Sequence, residues 1–562
     1  MSLLVSKTKE QINNSIINSA KKAMESGLLE NCELTQFNVE VPANRDHGDY
    51  AVNAAMVWAR LFHKAPRQIA EILVENCDFD NTYIKSCEIA GPGFINFFLN
   101  DKYYADIVSD VIAKGADYGK SNYGEGRRVL VEFVSANPTG PMHIGNARGG
   151  ALGDCLAAVL EAAGYYTERE FYINDAGNQI NKFGLSLDLR YLQLYKDGIE
   201  MPEDSYHGED IIAHAKAFAE INGDSFVEKP ESERRAALVE FALPKNIEGL
   251  ERDLGKYRIT YDTWFKESTL HNNGETTRII ELLKQSGYTY EEEGALWFKA
   301  TEFGCDKDFV LVRANGVPTY VVPDIAYHYN KLVTRKFDKA IDILGADHHG
   351  YVPRLKGALT ALGVDADRLD VVLMQMVRLV KEGEVIKASK RSGKAITLVT
   401  LLDEVPIDAA RFFFNLREPN SHFDFDLDLA VNESNSNPVY YVQYAYARIC
   451  SIIRNLETEG VSLRECGEKE LTKLTAPEER ELIHYLAALT DEIIASAKVY
   501  DPAKITHYVQ ELATKFHKFY SACRVKGEDE ELMQARLSLC KACAIAIKNV
   551  LSLMKIDAPE KM

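Results

Sequence analysis

The sequence predicts a multidomain α/β protein, with a parallel-sheet α/β domain at its centre, an α+β domain before it and an all-α helical bundle after it. Three observations carry that prediction. The chain has 562 residues, and single cores rarely grow past roughly 250–300. Residues 128–173 read strand, loop, helix, strand, the unit from which parallel sheets are built. Beyond about residue 400 strand signals vanish and amphipathic helical patterns run to the C-terminus.

The first domain is expected over residues 1–115. NRDHGDYAVNAAMVWARLFHKAPRQIAEILVENC reads as a helix pair broken at Pro66. CEIAGPGFINFFL supplies short strands, and GADYGKSNYGEGRR is a turn-rich joint.

The second domain is expected over 116–400. RVLVEFV (128–134) is a buried strand by its β-branched, apolar run. SANPTGPM is a loop, HIGNARGGALGDCLAAVLEAAG (143–164) a helix and TEREFYI (167–173) the next strand. This makes the domain Rossmann-like, with ligands expected at the strand C-termini. From about 185 to 300 the chain is charged and mostly helical, an insertion, after which DFVLVRANG, TYVVP, KAIDILGA and DVVLMQM resume the sheet. Residues 401–562 form the bundle.

Composition sets limits. Hydrophobic residues are 46% and charged residues 27%, as in a globular protein with sizeable cores. No run approaches the roughly 18–20 apolar residues of a membrane span, and MSLLVSKTKEQINN turns polar too soon for a secretory signal. A cytoplasmic protein without a membrane partner is expected. The ten cysteines are scattered, and Cys540 and Cys543, on an apolar helix, read as core rather than zinc ligands. The formal net charge of −19 argues mildly against a nucleic-acid partner. Locally the balance reverses, with six basic residues against two acidic ones between Arg378 and Lys394.

Two segments carry chemistry. In SANPTGPMHIGN (135–146), Pro138, Gly140 and Pro141 keep the loop out of helix, and His143, Gly145 and Asn146 stand at a helix entrance. Free N–H groups and a positive dipole end suit that place to phosphate. Gly145 allows close approach to the backbone, and His143 can donate to charge building on a phosphoryl oxygen. The second segment is KASKRSGK (387–394), after the hairpin-like VRLVKEGEVIK. Lys387 and Lys390, flanking Ser389, form a cationic arm able to stabilise departing pyrophosphate.

Together HIGN and KASKR resemble the paired HIGH and KMSKS signatures of class I aminoacyl-tRNA synthetases. Asn146 replaces the second histidine, keeping a side-chain donor without a titratable ring; Ala388 replaces methionine and Arg391 the last serine. VEFVSANPTGPMHIGNARGGALGD, REFYINDAGNQI, TYVVPDIAYH, LGADHHGYVPRLKGAL and NPVYYVQYAYARI narrow the resemblance to the arginyl-tRNA synthetases. HGDYAVNAA is similar to that family's N-terminal extra domain, and the closing helices resemble its anticodon-binding bundle. The resemblance covers about residues 40–562.

It implies an ATP-dependent, two-step joining of L-arginine to tRNA(Arg); Mg2+ is expected with ATP, no zinc is expected, and a monomer is expected. It makes His143, Asn146, Lys387 and Lys390 catalytic, and assigns ATP to His143, Gly145, Asn146, Ser389 and Lys390. It further implies that adenylation waits for tRNA. A guanidinium needs carboxylate acceptors. The resemblance assigns Tyr320 and Asp324 to the arginine side chain; Glu132 adds a second carboxylate, Asn137 holds the α-amino group and His348 lines the pocket. On the residues alone Asp324 also reads as a helix cap, Tyr320 as sheet core and Glu132 as an ion-pair partner. Asn174, Asp175 and Gln179 read as pocket-shaping or substrate-touching, and of Tyr440, Tyr441, Tyr444 and Tyr446 one or two are expected to face RNA.

Rival readings meet specific obstacles. A cysteine-specific synthetase should show a zinc ligand set, and a glutamate-specific one needs cations where Asp324 and Glu132 stand. A small nucleotidyltransferase has no use for some 160 C-terminal helical residues. A non-catalytic tRNA-binding paralogue should have lost His143 or the two lysines.

Overall fold

The structure, a computed structural model, describes residues 3–42, 44–386, 396–527 and 529–562. The N-terminal part begins with helix α1 (Leu3–Glu25), whose apolar side closes over a four-stranded antiparallel sheet. Its strands are β1 (Val39–Glu40), β2 (Tyr50–Val52), β3 (Ile84–Ala90) and β4 (Phe94–Leu99), in the order β1-β2-β4-β3. Between them run α2 (Ala54–Val57) and α3 (Pro66–Glu75), with Pro66 at the first helical position, where a missing N–H costs nothing. Helix α4 (Asp101–Lys114), capped by the Asn100 side chain, leads to the joint.

The central domain opens on β5 (Arg128–Glu132), helix α5 (Ile144–Ala162) and β6 (Tyr166–Ile173). Helix α5 packs close to the sheet because its glycines remove side chains from the contact: a Cβ at Gly153 would lie 2.2 Å from the Phe133 ring. The charged region holds α6 (Gly177–Leu192), α7 (Glu209–Asn222) and α8 (Glu231–Lys256) around their own small core.

That region is not one insertion, as its composition suggested. The chain returns to the main sheet with β7 (Thr263–Lys266), parallel to β6. Helices α9 (Glu267–Asn272) and α10 (Glu275–Gln285) follow, then an antiparallel trio, β8 (Thr289–Glu292), β9 (Ala295–Phe298) and β10 (Phe309–Val312). The expected strand DFVLV is therefore β10 of this satellite sheet. The expected strand TYVVP is the start of helix α11 (Val321–Tyr329), where a proline in the first turn is tolerated.

Helix α11 widens into a π turn over Asn330–Thr334. Then β11 (Lys339–Gly345), α12 (Val352–Ala361) and β12 (Leu369–Met374) complete a five-stranded parallel sheet of order β12-β11-β5-β6-β7. The chain reverses at β5, so the crevice at the C-terminal ends of β5 and β11 is the switch point where α/β sheets bind ligands.

The hairpin β13 (Val377–Lys381) and β14 (Glu384–Val385) comes next, followed by α13 (Leu398–Glu404) and α14 (Ile407–Phe414). Contrary to the purely helical reading beyond about 400, Phe423–Asp426 forms strand β15, parallel to β13. After α15 (Leu427–Val431), the bundle consists of α16 (Pro438–Thr458), α17 (Glu468–Leu471), α18 (Pro477–Ala487), α19 (Leu489–Val499), α20 (Ala503–Ala522) and α21 (Glu530–Leu553). Cys540 and Cys543 are buried in the α21 packing face.

A buried carboxylate ties the bundle to the catalytic body. Asp154 on α5 is fully buried and accepts from Arg411 on α14 (2.5 Å), Lys555 after α21 (2.8 Å) and Arg169 on β6 (3.2 Å). Removing Asp154 would leave the buried Arg411 guanidinium without its carboxylate, which is strongly destabilising.

Candidate active site

The loop after β5 bends sharply: Val134 and Ser135 have φ of 70° and 39°, a region that side chains seldom occupy. That bend carries the chain across the sheet edge to His143, the exposed N-cap of α5. His143 donates its backbone N–H to Asn146 Oδ1 at 3.1 Å. The Asn146 amide oxygen thus closes the first turn, and its NH2 is left to donate outward. Above Gly145 an added Cβ would meet nothing within 4 Å among the described residues, so a phosphate can reach the N–H groups of the first turn.

The helix entrance is also stitched to a distant part of the sequence. Ile144 N–H donates to the Ile396 carbonyl (3.2 Å), and Leu398 N–H donates to the Met142 carbonyl (3.0 Å), an antiparallel bridge of His143 with Thr397. Ile396 is the first described residue after the KASKRSGKA segment, whose near end is Ile386, bonded to Leu379 in the β13–β14 hairpin. Lys387, Ser389 and Lys390 lie outside the described residues. Their flank nevertheless borders the helix entrance directly.

Beside the switch point lies a cluster of acidic side chains. Tyr320 is the N-cap residue of α11, 69% exposed, and Asp324 lies in the first turn of the helix rather than at its cap. The Tyr320 and Tyr351 rings are 6.1 Å apart, and the Tyr351 hydroxyl donates to Asp324. Burial, reinforced by the nearby Glu267 and Glu132 carboxylates, pushes the Asp324 pKa up to about 6. An acid in that state is stabilised by an arriving cation.

Glu132, at the end of β5, is buried and doubly held: Lys331 donates to Oε2 (2.5 Å) and Ser135 to Oε1 (2.8 Å). It has the ion-pair role that its residue type allowed. Glu267 accepts from the Tyr172 hydroxyl at 2.9 Å. Asp175 accepts from Ser268 N–H and Oγ, bracing the start of α9, and Gln179 accepts from Tyr206. Asn137 is exposed on the strained loop. His348 is exposed beyond β11, 3.9 Å from Asp347, with no contact to Asp324 or Glu132 among the described residues.

Residues not anticipated from the sequence complete the cluster: Tyr351, Lys331, His328, Asp342, Glu267 and Tyr172. The signal was present in part, since Asp324, His328 and Lys331 fall at helical spacing on α11 and its π extension. Glu132, His328 and Asp342 offer three metal-ligating atoms within 4.8 Å of one another. Lys331 already sits at 2.5 and 2.8 Å from the two carboxylates, so the charge is neutralised internally and a divalent ion would face an ammonium.

In the bundle, Tyr440 and Tyr444 stack with planes 4° apart, and Tyr441 and Tyr444 both abut His517. With Arg448 and Asn435 these line an open pocket. Tyr446 is buried in the core.

A glycine-loosened helix entrance at the switch point of a parallel sheet, bonded to the flank of a basic loop, is the arrangement that both class I signatures require. Fold and site define a class I aminoacyl-tRNA synthetase. Three family profiles cover the chain: arginyl tRNA synthetase N terminal domain over residues 9–99, tRNA synthetases class I (R), catalytic domain over 107–434, and DALR anticodon binding domain over 442–562. Over the full length of both chains it is 53% identical to the arginine–tRNA ligase of Acetivibrio thermocellus and 54% identical to that of Caldanaerobacter subterraneus. The Thermus thermophilus arginyl-tRNA synthetase shares the fold at a TM-score of 0.74 with 21% identity, over 97% of this chain and 99% of that one. The chain belongs to the arginyl-tRNA synthetase family.

Proposed function

We infer that this chain is an arginine–tRNA ligase, which activates L-arginine with ATP and transfers it to the 3′-terminal adenosine of tRNA(Arg). The observation that carries the reading is the bonded contact between the HIGN helix entrance and the far flank of the KASKR loop, with the Asp324 pocket across the same crevice.

In the first step the arginine carboxylate attacks the α-phosphate, forming the adenylate and releasing pyrophosphate. In the second, the terminal ribose hydroxyl takes the arginyl group and AMP leaves. His143, Asn146, Lys387 and Lys390 supply donors and charge to the phosphates, and Gly145 and Ser389 shape the ATP seat. Such reactions depend on positioning and electrostatics more than on protein covalent chemistry. Magnesium enters with ATP, held chiefly by phosphates and water as that ion usually is.

Asp324 and Tyr320 receive the guanidinium, Glu132 stands beside them as a second carboxylate, and Asn137 holds the α-amino group. His348, exposed at the rim, is assigned to the adenosine side. Residues 1–115 contact the tRNA body, 116–400 perform the chemistry, and the helices within 401–562 read the anticodon loop with Tyr440, Tyr444 and Arg448. A monomer in the cytoplasm is taken as the working unit. Among the described residues no helix is long and apolar enough to cross a membrane.

Charging of unfractionated tRNA with each of the twenty amino acids tests this. Arginine alone should be attached, and attachment of any other amino acid in its place overturns the pocket assignment.

A further inference from the structure

Lys331 is a lysine with no exposed surface, held in the one stretch of α11 that departs from regular helix. An ammonium is costly to bury unless fully paired, so its presence asks for a reason. Its pairing is complete: Nζ donates to Glu132 Oε2 at 2.5 Å and Asp342 Oδ1 at 2.8 Å, and lies 4.1 Å from the centre of the Tyr327 ring. The π turn over 330–334 sets this geometry, since widening the helix by one residue re-aims the side chains that follow Tyr329. The turn is closed below by Arg335 N–H to the Asn330 carbonyl (2.8 Å) and Phe337 N–H to the Lys331 carbonyl (3.1 Å).

The same α11 face reaches the pocket. Asp324 stands one turn before His328, whose Nδ1 bonds the Asp324 carbonyl (2.7 Å) while Nε2 faces Asp342 Oδ2 (2.6 Å). Asp342 on β11 therefore joins His328 and Lys331, and Lys331 joins Glu132 on β5. Glu132 has its other oxygen on Ser135, in the strained loop that leads to His143. Removing Lys331 would free one oxygen of Glu132 and one of Asp342, leaving Glu132 without its cation and Asp342 with His328 alone.

We propose that Lys331 is a positioning residue for arginine recognition: from its buried seat it fixes the Glu132 carboxylate and balances it, leaving Asp324 as the carboxylate that meets the guanidinium. The proposal rests on the arginine–tRNA ligase reading above. The remaining charged and titratable groups around this centre have their own partners. On β6, Glu170 is bonded to Tyr327 (2.6 Å) and Arg335 (2.5 Å), and Tyr172 is bonded to Glu267 of α9. Glu267 also faces His271, and Tyr351 donates to Asp324 beside Tyr320. Burial opposes the charge on Lys331, but Asp342 and Glu132 outweigh it and push the ammonium pKa up, so Lys331 stays cationic across the assay range.

The test uses K331M and K331R in the full chain, with arginine and ATP KM values and the pH profile of kcat/KM for arginine. K331M should raise the arginine KM tenfold or more and leave the ATP KM within twofold. It should also move the acid limb set by Asp324 upward by half a pH unit or more, because the Glu132 carboxylate is then unbalanced near it. K331R, keeping the charge, should retain the wild-type acid limb and recover most of the arginine KM. A folded K331M with wild-type arginine KM and acid limb overturns the proposal, as does equal loss toward arginine and ATP in both variants. If K331M melts too early to assay, K331M/D342N removes the ammonium together with its second carboxylate, and a wild-type arginine KM there also overturns it. Wild-type protein that does not activate arginine would instead overturn the function itself.

Discussion

Ile144 and Ile396, 252 positions apart, share a backbone hydrogen bond of 3.2 Å that makes the start of the signature helix and the end of the basic loop one piece of structure. Ile396, the first described residue after the basic segment, is therefore anchored beside the phosphate site. The bond can be removed without breaking the helix. Ile144 is the first helical residue, where proline is favoured, and His143 already has the extended backbone (φ −80°, ψ 160°) that a following proline demands. Ile144→Pro should keep its melting temperature within a few degrees and lose about 10- to 100-fold in ATP–pyrophosphate exchange, the scale of a misplaced catalytic group.

Asn146 has two separable jobs. Its oxygen caps the His143 N–H, and its NH2 is the group proposed to donate to phosphate. Asn146→Asp keeps the cap, loses the donor and adds a negative charge near phosphate, so the melting temperature should hold while activity falls about 100-fold or more. Asn146→Ala should lose both, with about 1 kcal/mol of stability gone with the cap. Thermal melts run beside exchange assays separate the two effects.

The pKa of Asp324, raised to about 6 chiefly by burial, has two consequences. Protonation removes the guanidinium's acceptor, so kcat/KM for arginine should be level above about pH 7 and fall as pH drops through 6. The stability effect has the opposite sense. A carboxylate with a raised folded-state pKa holds its proton longer folded than unfolded, so its contribution declines as pH rises from about 4 to 6. Asp324→Asn should thus melt no lower than wild type at pH 7.5 while its arginine KM rises 100-fold or more. A pH series of melts and saturation curves checks both.

Tyr444 stacks on Tyr440 and abuts His517 at the mouth of the bundle pocket. Base stacking on such a ring is worth about 1–3 kcal/mol. Tyr444→Ala should raise the tRNA KM roughly tenfold in charging assays and leave the arginine and ATP KM values unchanged.

Much of this was legible in the sequence. The β5–α5–β6 unit and the β13–β14 hairpin follow from local pattern, and each lies where the pattern put it. TYVVP did not, because a run of β-branched and apolar residues reads the same in a buried strand and in a buried helix start. Of the helix pair read over residues 44–77, the second helix begins at Pro66 as expected, but Tyr50–Val52 is strand β2 and α2 has only four residues. Strand β7 was hidden because four residues in a charged region are too few to show alternation, and its partner β6 supplies the order. Lys331 was missed for a different reason. Only the fold brings it to Glu132, 199 positions away, and without that partner a lysine on a helix reads as a surface residue.

The most direct test of the account is ATP–pyrophosphate exchange with all twenty amino acids, run with and without unfractionated tRNA. Exchange with arginine alone, appearing when tRNA is added, is the predicted result. Exchange driven by another amino acid, or none with arginine and tRNA both present, would contradict it.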